Sequence, residues 1–244
     1  MDIIWVSDLH LTDPVKTELG QARADFVKRS LNKALAIFPT ASLCVVTGDL
    51  ADDCEPGVYT WLKACFDAMP IRCVALVGNH DDRSAFAKAF ATGSDGGATF
   101  VQQEIETPEA RLLFLDTLKP GSDGGTLCAD RLQWLESRLS LGTEKPVLLF
   151  MHHPPCDIGD PRIDALKLDN PEDLAAVLRQ APSTVERIFF GHVHRASTQV
   201  WTDIACCSIG ALVPHADGAE MPVSFGCIQI QNGQMHLTTR TLSV

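Results

Sequence analysis

VALVGNHDD, residues 74–82, is an apolar run that closes on a glycine, an amide, an imidazole and two carboxylates. Two readings fit the polar end. It is a turn, because Gly and Asn tolerate unusual backbone angles and Asp caps a following helix, or it is the end of a buried strand that delivers Asn79 and His80 to a cleft. Asp81 and Asp82 read as loop or helix-start residues in either case.

The neighbouring sequence favours a strand. IIWV (3–6), LCVV (43–46) and VALV (74–77) alternate with helical periods, one through Phe26, Val27, Leu31, Leu35 and Phe38 and one from Tyr59 to Met69. This βαβαβ rhythm predicts parallel strands with right-handed crossovers, whose carboxyl ends gather ligands. Further on, RLLFLD (111–116), PVLLFM (146–151) and VERIFF (185–190) read as strands, and Leu132, Leu135 and Leu139 as one helix stripe with Trp134 as a core aromatic. NPEDLAAVL (170–178) opens a helix with Asn170 as N-cap, Pro171 at the first position and acids in the first turn. GSDGG occurs at 93–97 and at 121–125, and both copies read as turns. From about 196 to 243 the chain reads as strands, including VSFGCIQI and MHLTTRTL joined through QNGQ. IACCSIGALV (204–213) is taken as core strand in preference to a subunit interface.

Composition narrows the class of protein. With 244 residues, 45% hydrophobic and 21% charged, the chain can bury about 70–75% of its unfolded surface, and the absence of linkers or low-complexity stretches predicts a single domain, 1–244. No apolar segment is long enough to span a bilayer, so no membrane partner is expected. The start, MDIIWVSDLHL, lacks the pattern of a secretory signal and points to the cytoplasm. Nine scattered cysteines without a CxxC pair read as reduced packing thiols. A net charge of −11 without a basic cluster disfavours long nucleic acids.

Five polar clusters follow apolar runs: SDLHL with Asp8 and His10, TGDL with Asp49, GNHDD with Asn79 and His80, MHHPP with His152 and His153, and GHVHR with His192 and His194. Each alone has a structural explanation as a cap, loop acceptor or turn residue. Together they put six of the chain's eight histidines at strand ends, which favours one shared metal cleft. Imidazole and carboxylate donors suit Mn, Fe or Zn better than an all-oxygen calcium cage would.

These blocks, D-x-H, GD, GNH[DE], H and GHxH in that order, resemble the calcineurin-like metallophosphoesterase superfamily. MHHPP and FFGHVHR are more narrowly similar to its class III cyclic-nucleotide phosphodiesterases and glycerophosphodiesterases. The resemblance implies an α/β, four-layer αββα sandwich of two mixed sheets flanked by helices, with the strands of about 196–243 completing the second sheet. It also implies two metal ions. Asp8, His10, Asp49 and His194 would hold one; Asp49, as the bridge, would hold the other with Asn79, His152 and His192. His80 would be the catalytic residue beside the phosphate and, with Asn79, would contact the substrate, while His153 departs from a ligand role.

The reaction implied is hydrolysis of a small phosphodiester, a cyclic nucleotide first and a glycerophosphodiester second, by attack of metal-bound hydroxide. A homodimer is the family-informed assembly, and an inactive scaffold of the same fold is the non-enzyme alternative. GDLADDC lacks the Arg-Gly ending of phosphoprotein phosphatases. Two divalent ions carry four positive charges against the two negative charges of Asp8 and Asp49, so a neutral Asn79 leaves more field for an anionic phosphate than a third carboxylate would. Asp160, Arg162 and Asp164 are either pocket or solvated-loop residues. Arg195 is either a phosphate contact or a surface residue, whereas His215 reads as a surface turn and His236 as structural or exposed.

Overall fold

Apolar runs that are hydrophobic at every position need cover on both faces, and the architecture supplies it twice. The computed structural model describes residues 1–90, 100–213, 223–231 and 233–241. In chain order its elements are β1 (Asp2–Val6), α1 (Glu18–Ile37), β2 (Ala41–Val46), α2 (Pro56–Asp67), β3 (Arg72–Ala75), α3 (Arg83–Phe90), β4 (Gln103–Glu106) and β5 (Arg111–Phe114). There follow α4 (Ala129–Leu139), β6 (Val147–Met151), α5 (Pro161–Asp164), α6 (Pro171–Gln180), β7 (Val185–Phe190), β8 (Ser197–Trp201), β9 (Ile204–Ser208), β10 (Ser224–Gln231) and β11 (Gln234–Thr241).

Two mixed sheets form, in the orders β11-β10-β1-β2-β3 and β4-β5-β6-β7-β9-β8. β1, β2 and β3 are mutually parallel, as are β5, β6, β7 and β9, while β10, β11, β4 and β8 join antiparallel. Strand alternation sorts the side chains into layers. Ile3, Trp5, Val45, Phe114, Phe150 and Phe189 meet between the sheets. Ile4, Val6, Cys44 and Val46 pack outward with Val27, Leu31, Leu62 and Phe86 of α1, α2 and α3. Leu149, Met151 and Ile188 pack outward with Leu135 and Leu174 of α4 and α6. This is the four-layer αββα arrangement. Phe150 stacks between Phe114 and Phe189 at 5.0 and 5.1 Å, and burial of each ring contributes roughly 1.5–3 kcal/mol.

Some expectations need correction. VALV is a strand only to Ala75; Leu76 and Val77 are buried beyond its end, with Leu76 N still donating to Val46 O at 2.9 Å as the chain turns toward Asn79. The tail does not complete one sheet. β8 and β9 extend the six-stranded sheet, whereas β10 pairs with β1 and β11 with β10 in the other. The β8–β9 hairpin turns through Thr202 and Asp203, both at positive φ, and closes the β9 edge. β10 carries Phe225 toward the helices and Ile228 and Ile230 toward the inter-sheet core, so it needs a seat covered on both faces, which the free edge of β1 provides.

Asn170 occupies the N-cap position of α6, but its side chain does not cap. Oδ1 accepts from Leu127 N at 3.0 Å and Nδ2 donates to Leu127 O at 2.8 Å, tying the helix to the preceding loop. Trp134 is half-buried against the outer core under Arg138. Cys206, Cys207, Ile209, Leu212 and Val213 of IACCSIGALV are buried within the chain. All nine cysteines are free. Among the described residues no helix is long and apolar enough to cross a membrane. The first GSDGG, His215 and Asn232 of QNGQ lie outside the described residues.

Candidate metal centre

The five polar blocks follow β1, β2, β3, β6 and β7, all parallel strands, so their side chains emerge at the same edge of the two sheets. The turns there are tight. Asp8, His10, Asp49, His192 and His194 have φ between 40° and 68°, a left-handed conformation costing an L-residue roughly 1–2 kcal/mol. Backbone pairing between the turns holds them: Asp8 N donates to Gly48 O at 3.1 Å and His10 N to Asp49 O at 3.0 Å. A side chain at Gly78 would collide with the Asp49 carboxylate and lie 2.7 Å from His152 Nε2, so the glycine of GNH is demanded by close approach.

Asp8, His10, Asp49 and His194 offer ligand atoms within 4.8 Å of one another. His194 Nε2 is 3.3 Å from Asp8 Oδ1, and His10 Nε2 is 3.1 Å from His194 Nε2 and 3.7 Å from Asp49 Oδ2. A second group adjoins it. His152 Nε2 is 3.3 Å from the same Asp49 Oδ2 and 3.1 Å from Asn79 Oδ1, which is 3.0 Å from His192 Nδ1. Asp49 thus stands between the two groups, with Oδ1 accepting from His80 N at 3.0 Å.

The donors fit cations. His152 Nδ1 donates to Thr47 O at 2.7 Å, so Nε2 faces a carboxylate and an amide oxygen, where either a proton or a metal cation satisfies the converging acceptors. His10 Nδ1 likewise donates to Asp52 Oδ1 at 3.1 Å, leaving Nε2 for the cleft. Asp8 Oδ2 is buried with no hydrogen-bond partner among the described residues.

Electrostatics agrees. Burial works against both carboxylates, but His194 brings Asp8 down to about 2 and His152 holds Asp49 well below the usual range. Burial would depress His152, yet the Asp49 charge raises it to about 9. Burial, then the neighbouring His152, pushes His192 down to about 4.

His80 is the exposed member, with its side chain 41% accessible and its ring 4.8 Å from His10. Its Nδ1 donates to Asp52 O at 3.1 Å. His153 adjoins the site, its ligand atom within 4.8 Å of those of His152 and His192; Nδ1 pairs with Thr117 Oγ1 at 2.8 Å and the ring packs 4.8 Å from His192. Arg195 donates to Ile158 O at 3.1 Å, bracing the loop after His153. In that loop Asp160 caps α5 and Asp164 accepts from Ile158 N. His236 is exposed on β11.

Two acids carry more than the sequence reading assigned them. Asp52 orients His10 from one oxygen while the other accepts from Arg23 Nη1 at 3.1 Å, and the His10 bond leads the causes that lower it to about 2. Such partners fix the tautomer of a metal-binding imidazole. The signal was an acid three residues after Asp49. Asp81 is not merely a loop or helix-start residue. Buried, it accepts from Gly78 N at 2.8 Å, Ala51 N at 3.0 Å, Leu50 N at 3.1 Å and Tyr59 OH at 3.0 Å, binding the GD and GNH turns together. Burial, then Asp49, pushes it up to about 6. Asp82 does start α3, accepting from Ala85 N at 2.6 Å.

The model of the calcineurin-like phosphoesterase family matches residues 1–196, the span that contains this whole site. The chain belongs to that family. Its fold and divalent-cation-binding His/Asp clusters accord with the membership. Over 207 residues it is 31% identical to a Rhodopseudomonas palustris protein named "Probable cyclic nucleotide phosphodiesterase", covering 84% of this chain and 75% of that one. Over 174 residues it is 31% identical to the glycerophosphodiester phosphodiesterase GpdQ of Enterobacter lignolyticus, covering 69% and 62%. The crystal structure of the Thermus thermophilus protein TT1561 has the same fold, with a TM-score of 0.60, 10% identity and 97% coverage of both chains.

Proposed function

We propose that this protein is a metal-dependent phosphodiesterase whose preferred substrate is a cyclic nucleotide, 3′,5′ or 2′,3′. The observation that carries the reading is the position of Asp49 Oδ2 between two donor groups, beside the Asn79–His80 pair. Asp8, His10, Asp49 and His194 would hold one divalent ion, and Asp49, Asn79, His152 and His192 a second, with Mn, Fe or Zn favoured by the imidazole-rich donors. Bound there, such ions supply Lewis acidity toward a phosphoryl oxygen and a lowered pKa for water.

The protein's own residues do the rest. Asn79 adds a ligand without adding negative charge, which leaves the site receptive to an anionic diester. His80 is pinned by its backbone N–H on Asp49 and by Nδ1 on the Asp52 carbonyl, so Nε2 is the ring atom left for the departing oxygen. As an imidazolium it donates a proton there. The acidic chain charge favours small diesters over nucleic acid.

A glycerophosphodiester is the second substrate reading, supported by the name of the Enterobacter relative. The layered core shared by both sheets supports a single domain, and nine free thiols support a cytoplasmic location. A homodimer belongs to this reading, and light scattering at several concentrations dismisses it if only the monomer mass appears.

The main test assays cyclic nucleotides, glycerophosphodiesters, bis(p-nitrophenyl) phosphate and the p-nitrophenyl monoester with Mn, Fe, Zn and Mg. Faster turnover of the diesters, cyclic nucleotides foremost, is expected. Metal-replete protein that turns over none of them would leave the inactive scaffold as the better description.

A further inference from the structure

Beside Asn79 a cavity of about 640 Å³ opens between α3 and residues 118–121, and the residues at its base are chemically prepared for a ligand. We propose that this cavity seats the nucleoside portion of the diester and that Arg83 is the residue that selects it. The proposal rests on the phosphodiesterase reading above, because Asn79 is what joins the cavity to the reacting centre.

Arg83 is held as a rigid fork. Nε donates to Asp116 Oδ2 at 2.6 Å, and Nη2 donates to Asp116 Oδ1 at 2.9 Å and to Leu118 O at 2.8 Å. Phe100 lies against the guanidinium with 5.2 Å from its centroid to Cζ. These bonds use Nε and Nη2; Nη1 makes no hydrogen bond to the described residues, although the side chain lines the cavity and is only 18% accessible. A donor fixed in this way loses little conformational entropy when it meets an acceptor.

Arg131 Nη1 also approaches Asp116, at 3.6 Å, so two guanidinium groups share one fully buried carboxylate, while Asp81 and Asp82 add acceptors to the same lining. Leu118 and Ala87 add apolar surface, and Lys119 stands at the rim, paired with Asp169 at 2.6 Å. Apolar walls with a few fixed donors suit a heteroaromatic base or sugar rich in acceptors. The volume lies within the range of roughly 300–1,000 Å³ typical of pockets for molecules well above glycerol in size.

The test compares two diesters with the same leaving group, thymidine 5′-(p-nitrophenyl phosphate) and methyl p-nitrophenyl phosphate, on the metal-loaded enzyme. They differ only in the group the cavity would hold. Arg83→Ala removes the donor but strips Asp116 of its main partner and can unfold the protein, so Ala87→Phe, which fills the cavity from α3, is the second variant. Each is expected to raise the KM ratio of nucleoside to methyl ester about tenfold, with the kcat ratio unchanged. An unchanged KM ratio in folded Ala87→Phe overturns the proposal. If wild-type protein hydrolyses neither ester, the phosphodiesterase reading fails separately, and AMP binding followed by ligand-observed NMR then decides. Binding that Ala87→Phe abolishes upholds the cavity assignment, and no binding to wild type overturns it.

Discussion

The two sheets make unequal contributions to the candidate metal centre. The five-stranded sheet brings both carboxylates, Asp8 and Asp49, with Asn79, His10 and His80 from the ends of β1, β2 and β3; the six-stranded sheet brings His152, His192 and His194 from the ends of β6 and β7. One sheet therefore carries the negative charge and the other only imidazoles. Neither holds a complete donor set, and close contacts run across the seam, from His192 and His152 to Asn79 at 3.0 and 3.1 Å, from His152 to Asp49 and from His194 to Asp8. Backbone joins them there too, with His192 N donating to Asp8 Oδ1 at 3.0 Å. The lesson is that the site and the docking of the sheets are one structure: cations bound between them would stabilise the folded state by mass action.

The sharpest way to break this division is Asp49→Ala, which removes the carboxylate that faces both groups. Loss of both metals and a fall in kcat on the order of 1,000-fold or more are expected; elemental analysis that still finds two ions per chain sinks the bridging role. His80→Ala leaves both donor groups whole and is expected to lower turnover by about 100-fold. The loss should deepen as the leaving group becomes a poorer one, and equal slowing across a series of aryl and alkyl diesters rules out leaving-group protonation. Asp52→Ala leaves the proposed ligands in place but removes the acceptor that holds His10 Nδ1, so metal affinity on the Asp8 side should weaken by about 10- to 100-fold, read by competition with a chelator. Unaltered affinity would mean that Arg23 and the backbone alone orient that turn.

Much of this was legible in local pattern. IIWV, LCVV and VLLFM are strands because uninterrupted apolar runs of that length require cover on both faces, VERIFF follows them with its buried apolar end, and the polar residues after all four fall at strand ends as a direct consequence. The blocks from Asp8 to His194 come together at one edge of the two sheets. Asp52 and Asp81 were harder to read, because an acid in a loop looks the same whether it is solvated or buried among backbone amides. The cavity at Arg83 was invisible for a similar reason: its partner Asp116 lies 33 residues away, beyond any local spacing rule.

By itself the sequence determined the kinds of donor, their order and the strands that carry them, since side-chain chemistry and hydrophobic period are local properties. Only the tertiary structure decided that β10 and β11 extend the sheet beyond β1, that His152 turns Nε2 inward because Thr47 O takes Nδ1, and that His194 meets Asp8 from the far side of the chain's length. Those outcomes depend on which buried polar groups find partners once the layers close, and no residue carries that information before the chain has folded.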